Sequence, residues 1–282
     1  MQHYNALTKN ILQTRLLSQI QDILVLTDPV EYAGVDQVFP MYPEQPYFLD
    51  ELVKPDIQGA QVLEIGLGSG VLSIGALKAG AAQVTALEIN PRAKLFAGFN
   101  AILNGINAGL CILDGNTQDI WQPVNGRQFD YVISNPPFMP TPPDAEHYFH
   151  SGGGGILGMD FMDKILQQLD QHLIPGGRAQ IVTAAPGDDQ LPTALTERIA
   201  THLSGSAELV IDPLRLSFDV LQHHLPENIT DTAMKKTSRM LEDQGITHQY
   251  LCVIHYLNNK NKAMTTRFCA PHANWDQPLT HL

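Results

Sequence analysis

Residues 61–70 read QVLEIGLGSG. The first five form a short apolar run interrupted only by Glu64, the pattern of a buried strand. The next five place glycine at positions 66, 68 and 70, and a helical stretch, Ser69–Ala79, follows. Glycine accepts left-handed backbone angles and lets a ligand lie close to the main chain. A helix opening directly after such a loop aims its free N–H groups at whatever is bound there. The stretch therefore predicts strand, tight loop and helix, with the loop at the carboxyl edge of an open sheet, where ligands bind. A dinucleotide loop spaces its glycines as G-x-G-x-x-G, but its third position is occupied here by Val71.

The same alternation extends outward. Strands are expected at Gln83–Ile89, Leu110–Leu113, Phe129–Ser134, Ala179–Ala184, Ala207–Ile211 and Gln249–Leu257. Helices are expected at Pro91–Asn104, Asp160–Leu173 and Leu191–Leu203. Strands alternating with helices predict an α/β fold, a mostly parallel sheet covered on both faces. Upstream, Leu7, Ile11, Leu12, Leu16, Leu17, Ile20, Ile23 and Leu24 lay one apolar stripe on a helix spanning 5–26, ended by Asp28-Pro29. Residues 34–46 read as an irregular connection and Pro46–Val53 as a short helix. The expected organisation is a helical extension and connection at 1–50, an α/β domain at 51–262 with an insertion at 212–248, and a tail at 263–282. The N-terminal stripe would pack on the core or against a second copy in a homodimer.

Composition bounds the function. The chain has 282 residues, 44% of them hydrophobic and 16% charged, enough for one large domain with a substantial core. The apolar runs fall short of the ~18 residues of a membrane span, and the N-terminus lacks the basic-then-apolar layout of a signal peptide. Cys111, Cys252 and Cys269 are odd in number and form no metal or disulfide pattern, so a reducing cytoplasm is the expected setting. The net charge of −12 counts against an RNA or DNA substrate, because proteins that grip phosphate backbones carry basic patches.

Glu64, the three glycines, and Glu88 at the end of the second strand together resemble the class I S-adenosylmethionine-dependent methyltransferases. The resemblance implies a Rossmann-like sheet of seven strands and S-adenosyl-L-methionine as cofactor. In that family the acidic residue of the first motif, here Glu64, lies near the methionine part of the cofactor, and Gly66, Gly68 and Gly70 pass under it. Glu88 matches the carboxylate that holds the ribose hydroxyls, a role that fits an ionised carboxylate facing a diol. Asp114, just after the third strand, falls where the family contacts the adenine amino group.

A second motif, SNPPFMP at 134–140, closes the fourth strand on the same sheet edge. Asn135-Pro136-Pro137-Phe138 resembles the motif of methyltransferases that act on planar nitrogen: adenine-N6, guanine-N2 and protein glutamine-N5 enzymes. The lone pair of a planar NH2 is delocalised, so it is a poor nucleophile. Asn135 Oδ1 and the Pro136 carbonyl can accept its two hydrogens and stabilise the charge that builds on nitrogen during attack. The prolines fix the backbone, and Phe138 offers a ring face to a flat acceptor. Positioning then supplies much of the rate.

The run Ser151–Phe161, rich in glycine, resembles a stretch of the protein glutamine-N5 (HemK-like) methyltransferases, and that resemblance covers about residues 35–185. It implies an acceptor that is a protein glutamine or a small-molecule amine or amide. On the residues alone, the glycine run is a lid, an anion-binding turn or a linker. Three alternatives stay open: a nucleic-acid base methyltransferase, an enzyme consuming S-adenosylmethionine itself, and a non-catalytic cofactor-binding protein. His147, His150, His223 and His224 lack a cysteine or carboxylate at ligand spacing, so no metal is expected. Tyr148 and Phe149 line the acceptor pocket or anchor their loop.

Overall fold

The computed structural model describes residues 15–106, 108–140, 154–217, 239–272 and 279, and the described residues begin with two strands. Strand β1 (Leu16–Ile20) turns through Gln21 and Asp22 into antiparallel β2 (Ile23–Thr27). Over residues 16–26 this corrects the helix expected at 5–26; residues 5–14 lie outside the described residues. Ile23, Val25 and Thr27 are buried on one face, a period of two, while Leu17 of the expected helical stripe is half exposed. Gln21 takes the left-handed turn angle (φ 53°).

The free edge of β2 finds partners on a helix. The helix Pro91–Leu103 (α4) carries Asn100, and Asn104 caps its end. Leu26 N donates to Asn100 Oδ1 (2.8 Å) and Leu24 N to Asn104 Oδ1 (2.9 Å). Their Nδ2 groups donate back to the Leu26 and Leu24 carbonyls. Four residues of helix rise about 6 Å and two of strand about 6.6 Å, so amides at i and i+4 match every second residue of a strand.

Among the described residues, the large sheet has eight strands: β3 (Gln61–Ile65), β4 (Gln83–Glu88), β5 (Leu110–Asp114), β6 (Phe129–Ser134), β7 (Leu173–Gly187), β8 (Ser206–Ser217), β9 (His248–Leu257) and β10 (Ala263–Phe268). Their order is β10-β8-β9-β7-β6-β3-β4-β5. All neighbours are parallel except β9, which runs against both β7 and β8. Seven strands were expected. The eighth, β10, lies in the segment read as a tail. Its six residues are all exposed, so no apolar pattern announces it. It belongs to the sheet through its ladder to Ser206–Ile211 and through Arg267, which pairs with Glu208 (3.2 Å) and Glu51.

The helices that cover the sheet include α1 (Glu44–Asp50), α2 (Lys54–Ile57), α3 (Val71–Lys78), α4 (Pro91–Leu103), α5 (Asp160–His172) and α6 (Thr193–His202). One apolar layer joins Val62, Val84, Tyr131, Ile133 and Val182 to α1, α3 and the hairpin. The other joins Leu63, Ile65, Val132 and Ile181 to α5 and α6. Strands buried on both faces explain their nearly unbroken apolar runs. The chain moves from β3 outward to β5, then returns to lay β6 against the other side of β3. The carboxyl ends of β3 and β6 thus flank a topological switch point, where open α/β sheets bind ligands. Among the described residues, no helix is long and apolar enough to cross a membrane.

Candidate active site

The glycine loop sits at that switch point. Gly66, Gly68 and Gly70 all have positive φ (80°, 52° and 84°). A Cβ built on Gly66 or Gly68 would meet nothing within 4 Å, so the space over the loop is open. A Cβ on Gly70 would come within 2.9 Å of Ala97 Cβ; here glycine serves the close approach of α3 to α4. Asn100, fully buried, donates to the Ser69 carbonyl (2.9 Å) and so ties the loop to the hairpin.

Two buried carboxyls flank the loop. Glu88 ends β4, and its oxygens accept from Gly68 N (2.7 Å) and Asn90 N (2.8 Å). Burial raises its pKa above the ordinary carboxyl value. Each oxygen keeps a second lone pair, which suits the diol role expected for it. Glu64 points into the layer under α3 and accepts from Ser73 Oγ. Burial pushes its pKa up to about 8. Asp114 stands level with Glu88 at the end of β5, exposed, and pairs with Lys94 of α4.

Asn135 follows β6. Ser134 Oγ donates to the Ile65 carbonyl (2.7 Å), which locks the end of β6 to the end of β3 and brings Asn135 beside the glycine loop. Asn135 Oδ1 is buried with no hydrogen-bond partner. An orphaned buried acceptor costs about 1–3 kcal/mol and marks a place where a ligand donor belongs.

Sequence reasoning missed Glu44. This residue of α1 is buried, and its carboxyl accepts from Gln45 Nε2 (3.0 Å) and from the side chain of Asn135. Burial raises its pKa to about 7. Only the NH2 end of Asn135 can donate to a carboxylate, so Glu44 fixes which way the amide faces and turns Oδ1 away from itself. The two residues are 91 positions apart, and no local spacing announces the pair.

Pro136 is buried, and Phe138 is half-buried against the layer that holds α1 and α3. Gly154 and Gly158 explain the described part of the glycine run. A Cβ on Gly158 would lie 2.0 Å from the Phe138 carbonyl oxygen, and one on Gly154 would lie 2.5 Å from that of Met139. These glycines let the segment before α5 press onto the backbone of the Asn-Pro-Pro-Phe motif. His147, Tyr148, Phe149, His150, His223, His224 and residues 218–238 of the insertion lie outside the described residues. The structure thus gathers Glu64, Gly66, Gly68, Gly70, Glu88, Asn135 and Pro136 at one sheet edge, with Asp114 one strand further out.

Comparison with known proteins places this arrangement. A methyltransferase of known structure from Agrobacterium tumefaciens, described as S-adenosylmethionine-dependent, superimposes with a TM-score of 0.56 over 88% of this chain and 71% of that one, at 15% identity. The fold is that of the class I methyltransferases. The family model for ribosomal protein L11 methyltransferase (PrmA) matches residues 47–145, which carry both the glycine loop and the Asn-Pro-Pro-Phe motif of this methyltransferase-fold chain. A candidate protein N5-glutamine methyltransferase from Methanocaldococcus jannaschii is 34% identical over 133 residues, 46% of this chain and 64% of that relative. A tRNA adenine-N6 methyltransferase from Shewanella halifaxensis is 31% identical over 128 residues, 45% of this chain and 52% of its own length. The chain therefore spans between about half and two thirds of the length of these curated relatives.

Proposed function

We propose that this protein is an S-adenosylmethionine-dependent methyltransferase that methylates a planar amide or amine nitrogen of a protein or small molecule, acting in the cytoplasm. The observation that carries the reading is the orphaned Oδ1 of Asn135, held at the carboxyl edge of β6 with its amide orientation set by Glu44. Relatives named for glutamine-N5 and adenine-N6 transfer support a planar nitrogen acceptor.

The loop fits the cofactor: it is open above Gly66 and Gly68, and it has carboxyls at Glu64 and Glu88. S-adenosylmethionine, when bound, supplies an electrophilic methyl group on a sulfonium. Glu88 would hold the ribose hydroxyls, Glu64 the amino-acid end and Asp114 the adenine edge. Asn135 Oδ1 and the Pro136 carbonyl accept the two hydrogens of the incoming NH2. As the nitrogen lone pair is drawn out, positive charge develops on nitrogen, and both acceptors gain strength with it. Phe138 lies against the flat face of the acceptor. No side chain has to remove a proton before transfer, because the methylated nitrogen is acidic enough to lose it afterwards.

The test supplies methyl-labelled S-adenosylmethionine to a cell extract and separates protein, RNA, DNA and small molecules. Label on protein glutamine or on a small amine or amide is expected, and Asn135→Ala should abolish it while cofactor binding persists. Label confined to nucleic acid would overturn the acceptor class. Normal transfer by Asn135→Ala would overturn the clamp.

A further inference from the structure

The second cluster of chemically able side chains lies at the opposite end of the same sheet edge. Asp212 sits where the β8–β9 ladder changes register, between Ile211 and Arg215, and is fully buried. β10 pairs Phe268 with Ile211, and Cys269 N continues the ladder to the Ile211 carbonyl (3.0 Å). That register sets Cys269 beside Asp212. Three residues on, His272 returns to the same carboxylate: its backbone N donates to Asp212 Oδ2 (2.8 Å) and its Nδ1 lies 2.9 Å from that oxygen. Cys269 Sγ is 3.9 Å from His272 Nδ1. The three donor atoms all lie within 4.8 Å of one another.

A fourth group faces them. Tyr47 of α1 is fully buried, and its ring lies 4.3 Å from the His272 ring. Its hydroxyl faces Cys269, with which it interacts side chain to side chain. A neutral thiol is a weak acceptor, whereas a metal-bound thiolate is a strong one. The hydroxyl is thus a donor already aimed at Cys269, and its bond would strengthen if that sulfur became a metal-bound thiolate.

We propose that Asp212, Cys269 and His272 form a zinc site that fastens the end of β10 and the segment after it to β8 and α1. Zn–S near 2.3 Å and Zn–N or Zn–O near 2.0–2.1 Å make the edges of a tetrahedral site about 3.3–3.6 Å long. The N–O pair would open by about 0.4 Å, the S–N pair close by about 0.3 Å and the S–O pair, now within 4.8 Å, close to about 3.6 Å through rotation of the Cys269 and His272 side chains, with water as the fourth ligand. On binding, the Cys269 S–H bond breaks and its proton leaves to solvent. The His272 proton moves from Nδ1 to Nε2, and Zn–S, Zn–N and Zn–O bonds form. One thiolate and one carboxylate neutralise the ion. The donor set of one soft, one borderline and one hard ligand favours zinc over magnesium or calcium. The nitrogen clamp at Asn135 shares none of these residues, although Glu44 and Tyr47, which face the two clusters, are neighbours on α1.

The experiment uses the full chain, stripped with a chelator and titrated with zinc and separately with cobalt(II). One equivalent of zinc should bind and raise the Tm. Cobalt should give a thiolate-to-metal charge-transfer band together with tetrahedral ligand-field bands. Cys269→Ser should remove the charge-transfer band, and His272→Ala should weaken binding at least tenfold. Cys111→Ser, at an exposed cysteine elsewhere, should change neither. Absence of saturable one-equivalent uptake would overturn the proposal, and so would a charge-transfer band that survives Cys269→Ser or is lost in Cys111→Ser. Asp212 also holds Leu214 N (2.8 Å), so the cysteine and histidine variants carry the test.

Discussion

Replacing Glu64 by glutamine isolates one buried proton. Glu64 is almost wholly inaccessible, and burial raises its pKa to about 8 from an ordinary 4.5. Between those values the folded chain holds a proton at this carboxyl that the unfolded chain has released. The stabilisation from this group is therefore complete below about pH 4.5 and is lost as pH rises through about 8. With one extra proton bound in the folded state, the slope is about −1.4 kcal/mol per pH unit, or about 2–3 kcal/mol between pH 5.5 and 7.5. Glutamine keeps an oxygen that can accept from Ser73 Oγ but does not titrate. Urea unfolding of both proteins at pH 5.5, 6.5 and 7.5 gives the difference between their stabilities, in which all other titrating groups cancel. Glu44, raised by burial to about 7, is among those that cancel. The wild type should lose stability relative to Glu64→Gln by about 2–3 kcal/mol across the series, with equal m-values. Parallel curves would refute the claim that Glu64 is neutral in the cofactor-free protein. The same proton links to the proposed ligand: if the cofactor's ammonium group draws Glu64 into its ionised form, affinity in the wild type should rise up to tenfold per pH unit between pH 5.5 and 7, and the variant should show a flatter profile.

Further outcomes follow from the same geometry. Glu44→Gln should let the Asn135 amide reverse, lowering methyl transfer tenfold or more while the cofactor Kd measured by calorimetry stays within about twofold. Gly70→Ala forces a side chain onto φ 84° and against Ala97, so it should cost about 1–3 kcal/mol in urea unfolding and weaken cofactor binding in parallel. Asn100→Leu leaves Leu26 N, the Leu26 carbonyl and the Ser69 carbonyl without their partner; a loss of about 3–5 kcal/mol is expected, with early hydrogen exchange at Leu26. Asp28 is fully buried between Arg15 (2.8 Å) and Arg92 (2.7 Å), so Asp28→Ala should destabilise by about 3 kcal/mol, read as a lowered urea midpoint.

The sequence by itself determined the part of this protein that carries the candidate site because its signals are local. A strand buried on both faces must be apolar, a loop under a ligand must be glycine, and an Asn-Pro-Pro turn after a strand has few other uses; each fits within about ten residues. From these, the alternation of β3 to β9, the glycine loop, Glu64, Glu88 and Asn135 were all legible. What only the tertiary structure decided depends on partners far apart in the chain. The apolar stripe at Leu16, Leu17, Ile20, Ile23 and Leu24 satisfies a helix as well as a hairpin. The hairpin forms where Asn100 and Asn104, 74 and 80 residues away, complete the edge of β2. β10 has no buried residue and joins the sheet through the β8 backbone and the ion pairs of Arg267. Glu44 looks like an ordinary acid at a helix start until β6 brings Asn135 beside it. Asp212 and Cys269, 57 positions apart, become neighbours through the register of two parallel strands. Backbone hydrogen bonding reads no side chains, so a ladder can place chemistry that the order of residues does not disclose.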